Sequence, residues 1–118
     1  MYVDGFVLPV PKGKLAAYRR LAKLACGVWM DHGALGYYEA MGDDLDTPCG
    51  TPFGKLTRLR KGETAIFAWI TYRSRAHRDR VNKGAMKDPR LLKGIDAKNL
   101  PFDMKRMSHG GFKVFVGA

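Results

Sequence analysis

Two stretches of the sequence hold residue types that could do chemistry. In Tyr72-Arg73-Ser74-Arg75-Ala76-His77-Arg78-Asp79, a serine suited to capping a helix is followed by arginines and a histidine. Backbone N–H groups at a helix start, flanked by Arg73, Arg75 and Arg78, could hold a carboxylate or phosphate. His77 brings an imidazole, the side chain suited to proton transfer near neutral pH. The structural alternative has Ser74 capping the helix, His77 packing on a sheet-facing stripe with Val81, and the arginines solvated. The second stretch runs from Phe102 to Gly111, where Asp103, Arg106 and His109 offer an acid, a cation and a base. Gly110-Gly111 would admit a ligand or another backbone. Strand alternation puts Asp103 and Arg106 on opposite faces, with His109 matching Asp103. A bulge at the glycines, with Asp103 touching Arg106 across a bend, is the structural alternative.

Other candidates are thinner. Trp29, His32, Tyr37 and Tyr38 could line a pocket, although aromatics at such spacing also make plain core. Asp43, Asp44 and Asp46 lead into Thr47-Pro48-Cys49 without the glycine and downstream glutamate of a calcium loop. Cys26 and Cys49 form no C-x-x-C pair, and the usual phosphate-loop, dinucleotide and hydrolase signatures are absent. Neither a metal nor a cofactor is expected.

The elements that must position these residues follow from periodicity. Tyr2 to Val10 is rich in β-formers and stops at Pro9/Pro11, a first strand. From Lys14 to His32, Leu15, Tyr18, Ala22, Ala25 and Trp29 recur at steps of three and four, an amphipathic helix ended by Gly33. Leu35 to Met41 reads as a second strand, Gly42 to Phe53 as a turn-rich loop, and Lys55 to Leu59 as a possible extension of the sheet. Thr64 to Tyr72, β-branched and aromatic without a breaker, is a third strand. Ser74 opens a second helix carrying His77, Val81 and Ala85, ended by Asp88-Pro89. Residues 88–102 read as irregular with a short helical turn, and Met104 to Val116 as a last strand. The order βαββαβ predicts one α+β, ferredoxin-like domain over residues 1–118, with a four-stranded antiparallel sheet and both helices on one face.

That arrangement leaves a sheet face bare. On the third strand Ile66, Ala68 and Ile70 alternate with Phe67 and Trp69, so both faces are apolar. Phe67 and Trp69, joined by Val114 or Phe115 from the last strand, would make a patch too apolar to leave in water. The simplest cover is the same face of a second copy, a homodimer through the sheet face.

With 46% apolar and 27% charged residues the composition is that of a globular protein, not a disordered chain. No apolar run approaches the roughly 20 residues of a membrane span, and the N-terminus has no export signal, which predicts a cytoplasmic protein with no membrane partner. The net charge is +10 and is uneven. Residues 12–23 carry five cations without an acid, and residues 73–93 carry eight against Asp79 and Asp88. Such clusters attract polyanions, or serve as solvated helix faces.

The stretches YVDGFVLPVPK, WMDHGALGYYEAMGDD, KGETAIFAWITYRSRAHRDRVN and DPRLLKGIDAKNLPFDMKRMSHGGFKVFV together resemble the YbaA-like family of small uncharacterised bacterial proteins. The resemblance implies the dimeric α/β-barrel superfamily, in which two ferredoxin-like sheets pair face to face. It implies no established activity. Superfamily members include cofactor-independent oxygenases, isomerases and simple ligand binders, a likeness of fold alone. The expectation is a homodimeric barrel that binds a small anionic or aromatic molecule between sheet and helices. Arg75, Arg78 or Arg106 would hold an anionic group, Phe67 and Trp69 would wall the pocket, and His77 or His109 would serve any proton-transfer chemistry. The alternative is RNA binding. Ala65 to Tyr72 partly fits the third-strand octapeptide of RNA-recognition sheets but lacks its basic first residue and its glycine, and the basic clusters fall on the helices.

Overall fold

A computed structural model describes residues 1–118. The chain forms β1 (Tyr2–Pro11), α1 (Leu15–Asp31), β2 (Gly36–Met41), α2 (Phe53–Leu56), β3 (Glu63–Tyr72), α3 (Arg75–Ala85), α4 (Pro89–Gly94) and β4 (Ser108–Lys113). The strands make one antiparallel sheet in the order β2-β3-β1-β4. That is the ferredoxin-like arrangement read from the βαββαβ order. No helix is long and apolar enough to cross a membrane.

Local chemistry explains the element ends. Gly33, at φ +106°, supplies the left-handed residue just past α1. The Ser74 hydroxyl accepts from the His77 N–H at 3.1 Å, capping α3. Asp88 accepts from the Arg90 N–H at 2.9 Å and Pro89 takes the first helical position, so the breaker of α3 is also the start of α4.

The core lies between the helices and one sheet face. Leu8, Val10, Tyr18 and Ile66 pack at one end, Ala34, Ile70, Tyr72 and Val81 at the other, and Val28, Ala85 and Leu91 join α1 to α3 and α4. Val10 and Val28 are wholly buried, and each such side chain contributes about 1.5–3 kcal/mol.

Two expectations are corrected. Lys55 to Leu59 does not extend the sheet. Pro52 precedes the single-turn helix α2, the Thr57 hydroxyl bonds back to the Phe53 carbonyl at 2.8 Å, and Arg58 turns the chain at φ 53°. The last strand is also shorter than Met104 to Val116. Asp103 accepts from the Lys105 N–H at 3.0 Å and coils 104–106 into a 3-10 turn. At the other end β4 stops at Lys113, opposite Tyr2 where β1 begins, and beyond it only the Val114 N–H still reaches a carbonyl, that of Met1.

Candidate functional site

Alternation along β1 buries Asp4, Leu8 and Val10 under the helices and turns Val3, Gly5 and Val7 to the opposite face. The ladder aligns Gly5 with Trp69 on one side and Gly110 on the other, and Val3 with Phe112. Two glycines side by side leave a dip in the sheet. Phe67 and Trp69 wall it on β3 and Phe112 on β4, making an open, largely apolar trough of ≈600 Å³. A Cβ at Gly5 would stand 3.5 Å from the Phe112 ring.

An aromatic row borders the trough. Tyr38 stacks on Trp69 at 5.1 Å between ring centroids, Trp69 meets Phe67 at 5.3 Å, and Phe67 meets Phe53 of α2 at 6.1 Å. These separations suit offset or tilted ring pairs. Phe67 remains 45% exposed and Phe112 62%.

The histidines stand elsewhere. His77 is buried at the start of α3, where its Nδ1 accepts the Arg73 N–H at 3.0 Å and its ring meets Tyr72 edge-on. That bond leaves the proton of the neutral ring on Nε2. His109 pairs with Phe6 across the ladder, and the two rings stack at 5.9 Å. Alternation turns the His109 ring toward Phe6, away from Phe67 and Trp69, and His109 stands at the border of the trough as one of its lining residues. Phe67 and Trp69 are thus brought together, with His109 at the border of their trough and His77 away from it.

The cations are placed by folding partners. Arg78 ion-pairs with buried Asp4 and exposed Asp79, and its guanidinium lies 4.9 Å from the centre of the Tyr2 ring. Arg106 grips Glu63 through both terminal nitrogens. The Arg106 hydrogen bonds outweigh desolvation and hold the Glu63 carboxyl down at about 2. Asp103 bonds to Lys105, not to the Arg106 side chain. Arg75 is exposed on α3 and has no ion-pair partner.

Two further polar clusters were not visible as motifs. Tyr18 and Tyr37 both donate to Glu39 between α1 and β2. Burial pushes both phenols far above their usual range, and the Glu39 carboxylate adds to it. His32 Nε2 lies 2.8 Å from Asp88, whose carboxyl is held well below the usual range by hydrogen bonds from Arg90 and then His32. Trp29 bonds to Asn82 at 2.9 Å, and with Tyr37 it packs against the helix-side core. Tyr38 alone of that sequence group reaches the trough face. No three ligating side chains converge as a metal site. Sequence reasoning missed Phe112 and the Gly5–Gly110 dip. The expected partners, Val114 or Phe115, both lie past the end of β4 at Lys113, and Phe112 takes their place.

Fold and site define an α+β chain of the ferredoxin-like class, with one sheet face under helices and the other bare and aromatic. Residues 1–104 match the family described as "Protein of unknown function (DUF1428)". Over 115 residues the chain is 37% identical to "Uncharacterized protein YbaA" of Escherichia coli K12, covering 98% of this chain and 97% of that one. The Shigella flexneri protein of the same description matches equally. The chain belongs to this family of unknown function. Its fold is similar to the crystal structure of an uncharacterized NIPSNAP domain protein from Burkholderia xenovorans, with TM-score 0.59, 13% identity and full coverage of both chains. At that identity the likeness is one of fold.

Proposed function

We propose that the protein is a homodimer pairing the open sheet faces of two copies into an α/β barrel, and that the barrel binds a small, largely apolar, ring-bearing molecule. The observation that carries this is the bare aromatic face with its ≈600 Å³ trough. A large exposed apolar patch marks an interaction surface. A two-fold interface covers it with its own likeness. The trough volume lies within the usual range of ligand sites, and Phe67, Trp69 and Phe112 offer rings to stack on.

The ligand site expected between sheet and helices moves in this proposal to the sheet face, and the anionic character drops away. Arg78 and Arg106 are engaged with Asp4 and Glu63, and Arg75 lies on the helix layer. With His77 away from the trough and the His109 ring stacked on Phe6 at its border, the proposal is binding without an assigned catalytic base. RNA binding has less support, because the aromatic row and the helix-borne cations lie on opposite faces.

Native mass spectrometry of the purified protein tests the proposal, with sedimentation for the assembly. A dimer carrying a small extra mass, released on denaturation, is the expected result. A monomer at micromolar concentration overturns the assembly. A dimer that retains nothing and takes up no anilinonaphthalene sulfonate overturns the binding cavity.

A further inference from the structure

The four strands, of 10, 6, 10 and 6 residues, span a face of roughly 500 Å² at about 4.8 Å between strands and about 3.4 Å per residue. A stable dimer interface buries roughly 800 Å² on each partner. The sheet footprint is small beside that area, so apolar surface from outside the sheet would add substantially to the dimer proposed above.

Beyond β4 the chain continues Val114-Phe115-Val116-Gly117-Ala118. The Val114 N–H donates to the Met1 carbonyl at 3.1 Å, so these residues leave the sheet from a fixed point beside the start of β1. Phe115 is 93% exposed, more than any other large apolar side chain, and Val116 is 79% exposed. Neither packs against any of the three core clusters. Phe112, three residues earlier, already lines the trough.

We propose that Phe115 and Val116 of each copy pack onto the partner copy at the rim of its open sheet face, so that each trough is completed by a residue pair from the other subunit. The occupant of the rim is therefore a second copy of this chain. A two-fold operator uses each tail once as donor and each rim once as acceptor, so the added area counts twice. The proposal rests on the sheet-face dimer but makes a separate demand on it.

Dimer dissociation is measured by sedimentation for the wild type, Phe115→Ser, Phe115→Leu and a chain ending at Val114. The expected result is at least a ten-fold weaker dimer for Phe115→Ser and for the shortened chain, with Phe115→Leu close to wild type. A wild-type dimer whose strength none of these changes alters overturns the tail contact and leaves the sheet-face dimer standing. A wild type that is monomeric throughout overturns both. A fall in thermal midpoint at concentrations where the protein is monomeric would place Phe115 against its own chain, and that also overturns the proposal.

Discussion

Replacing Phe67 with serine removes the centre of the aromatic row without touching the helix-side core. A phenylalanine side chain brings about 200 Å² of surface. Since Phe67 is 45% exposed, about 90 Å² of it awaits a partner. Two copies give about 180 Å², worth about 4.5 kcal/mol at about 25 cal/mol per Å². Ordering the rings at the interface returns about 1 kcal/mol of that. Phe67→Ser should therefore raise the dimer dissociation constant a hundred- to a thousand-fold. Sedimentation equilibrium over a wide concentration range reads this directly. A second readout guards against misfolding, because the variant monomer loses only the ring contacts to Trp69 and Phe53. Thermal unfolding of the dilute variant should fall by no more than a few degrees. An unchanged dissociation constant refutes burial of the Phe67 face, as does a wild type with no dimer to weaken.

Three other outcomes follow from the polar clusters. Glu63, held down at about 2 by Arg106, contributes stability that is fully present above the unfolded carboxyl pKa of about 4.3 and is lost as pH falls toward 2. Arg106→Ala should lower urea stability at pH 7, and the gap to wild type should narrow on acidification toward what the Arg106 bond to the Arg58 carbonyl contributes. A gap as large at pH 2 as at pH 7 would refute the assignment. His77→Ala removes a buried ring and the partner of the Arg73 N–H, and should cost about 1–3 kcal/mol by denaturant titration. On the binding proposal above, it should leave uptake of a trough ligand unchanged, and a loss of binding with stability intact would return His77 to the site. Tyr18, Tyr37 and Tyr72, raised mainly by burial, keep their protons above the ordinary phenol range of about 10. Their contribution is present below that pH and is lost above it. An absorbance titration should show at most two of the five tyrosines ionising before alkaline unfolding.

Much of the fold was legible one residue type at a time. The three- and four-residue steps of α1, the β-branched run of β3, the Ser74 cap and the Asp88-Pro89 break are consequences of local backbone geometry, which repeats within a few residues. The bare face was legible for the same reason, since strict alternation in Phe67-Ala68-Trp69-Ile70 demands two apolar environments whatever lies around the strand. The two turn-rich segments read less well. Lys55 to Leu59 has strand-compatible residues, but Pro52 and the left-handed Arg58 decide its path.

Only the tertiary structure decided the site. Arg78 finds Asp4 from a helix, Arg106 finds Glu63 from a turn, and Gly5 lies beside Gly110 across the β1–β4 register, in each case between distant segments. A slip of one residue would reverse every one of these assignments, because it exchanges the two faces of a strand. That is why the sequence alone specified an uncovered aromatic face but not that Phe112, rather than Val114 or Phe115, lines it. The same register turned His109 away to stack on Phe6. His77 was decided by folding as well, when its Nδ1 met the Arg73 N–H at the turn into α3.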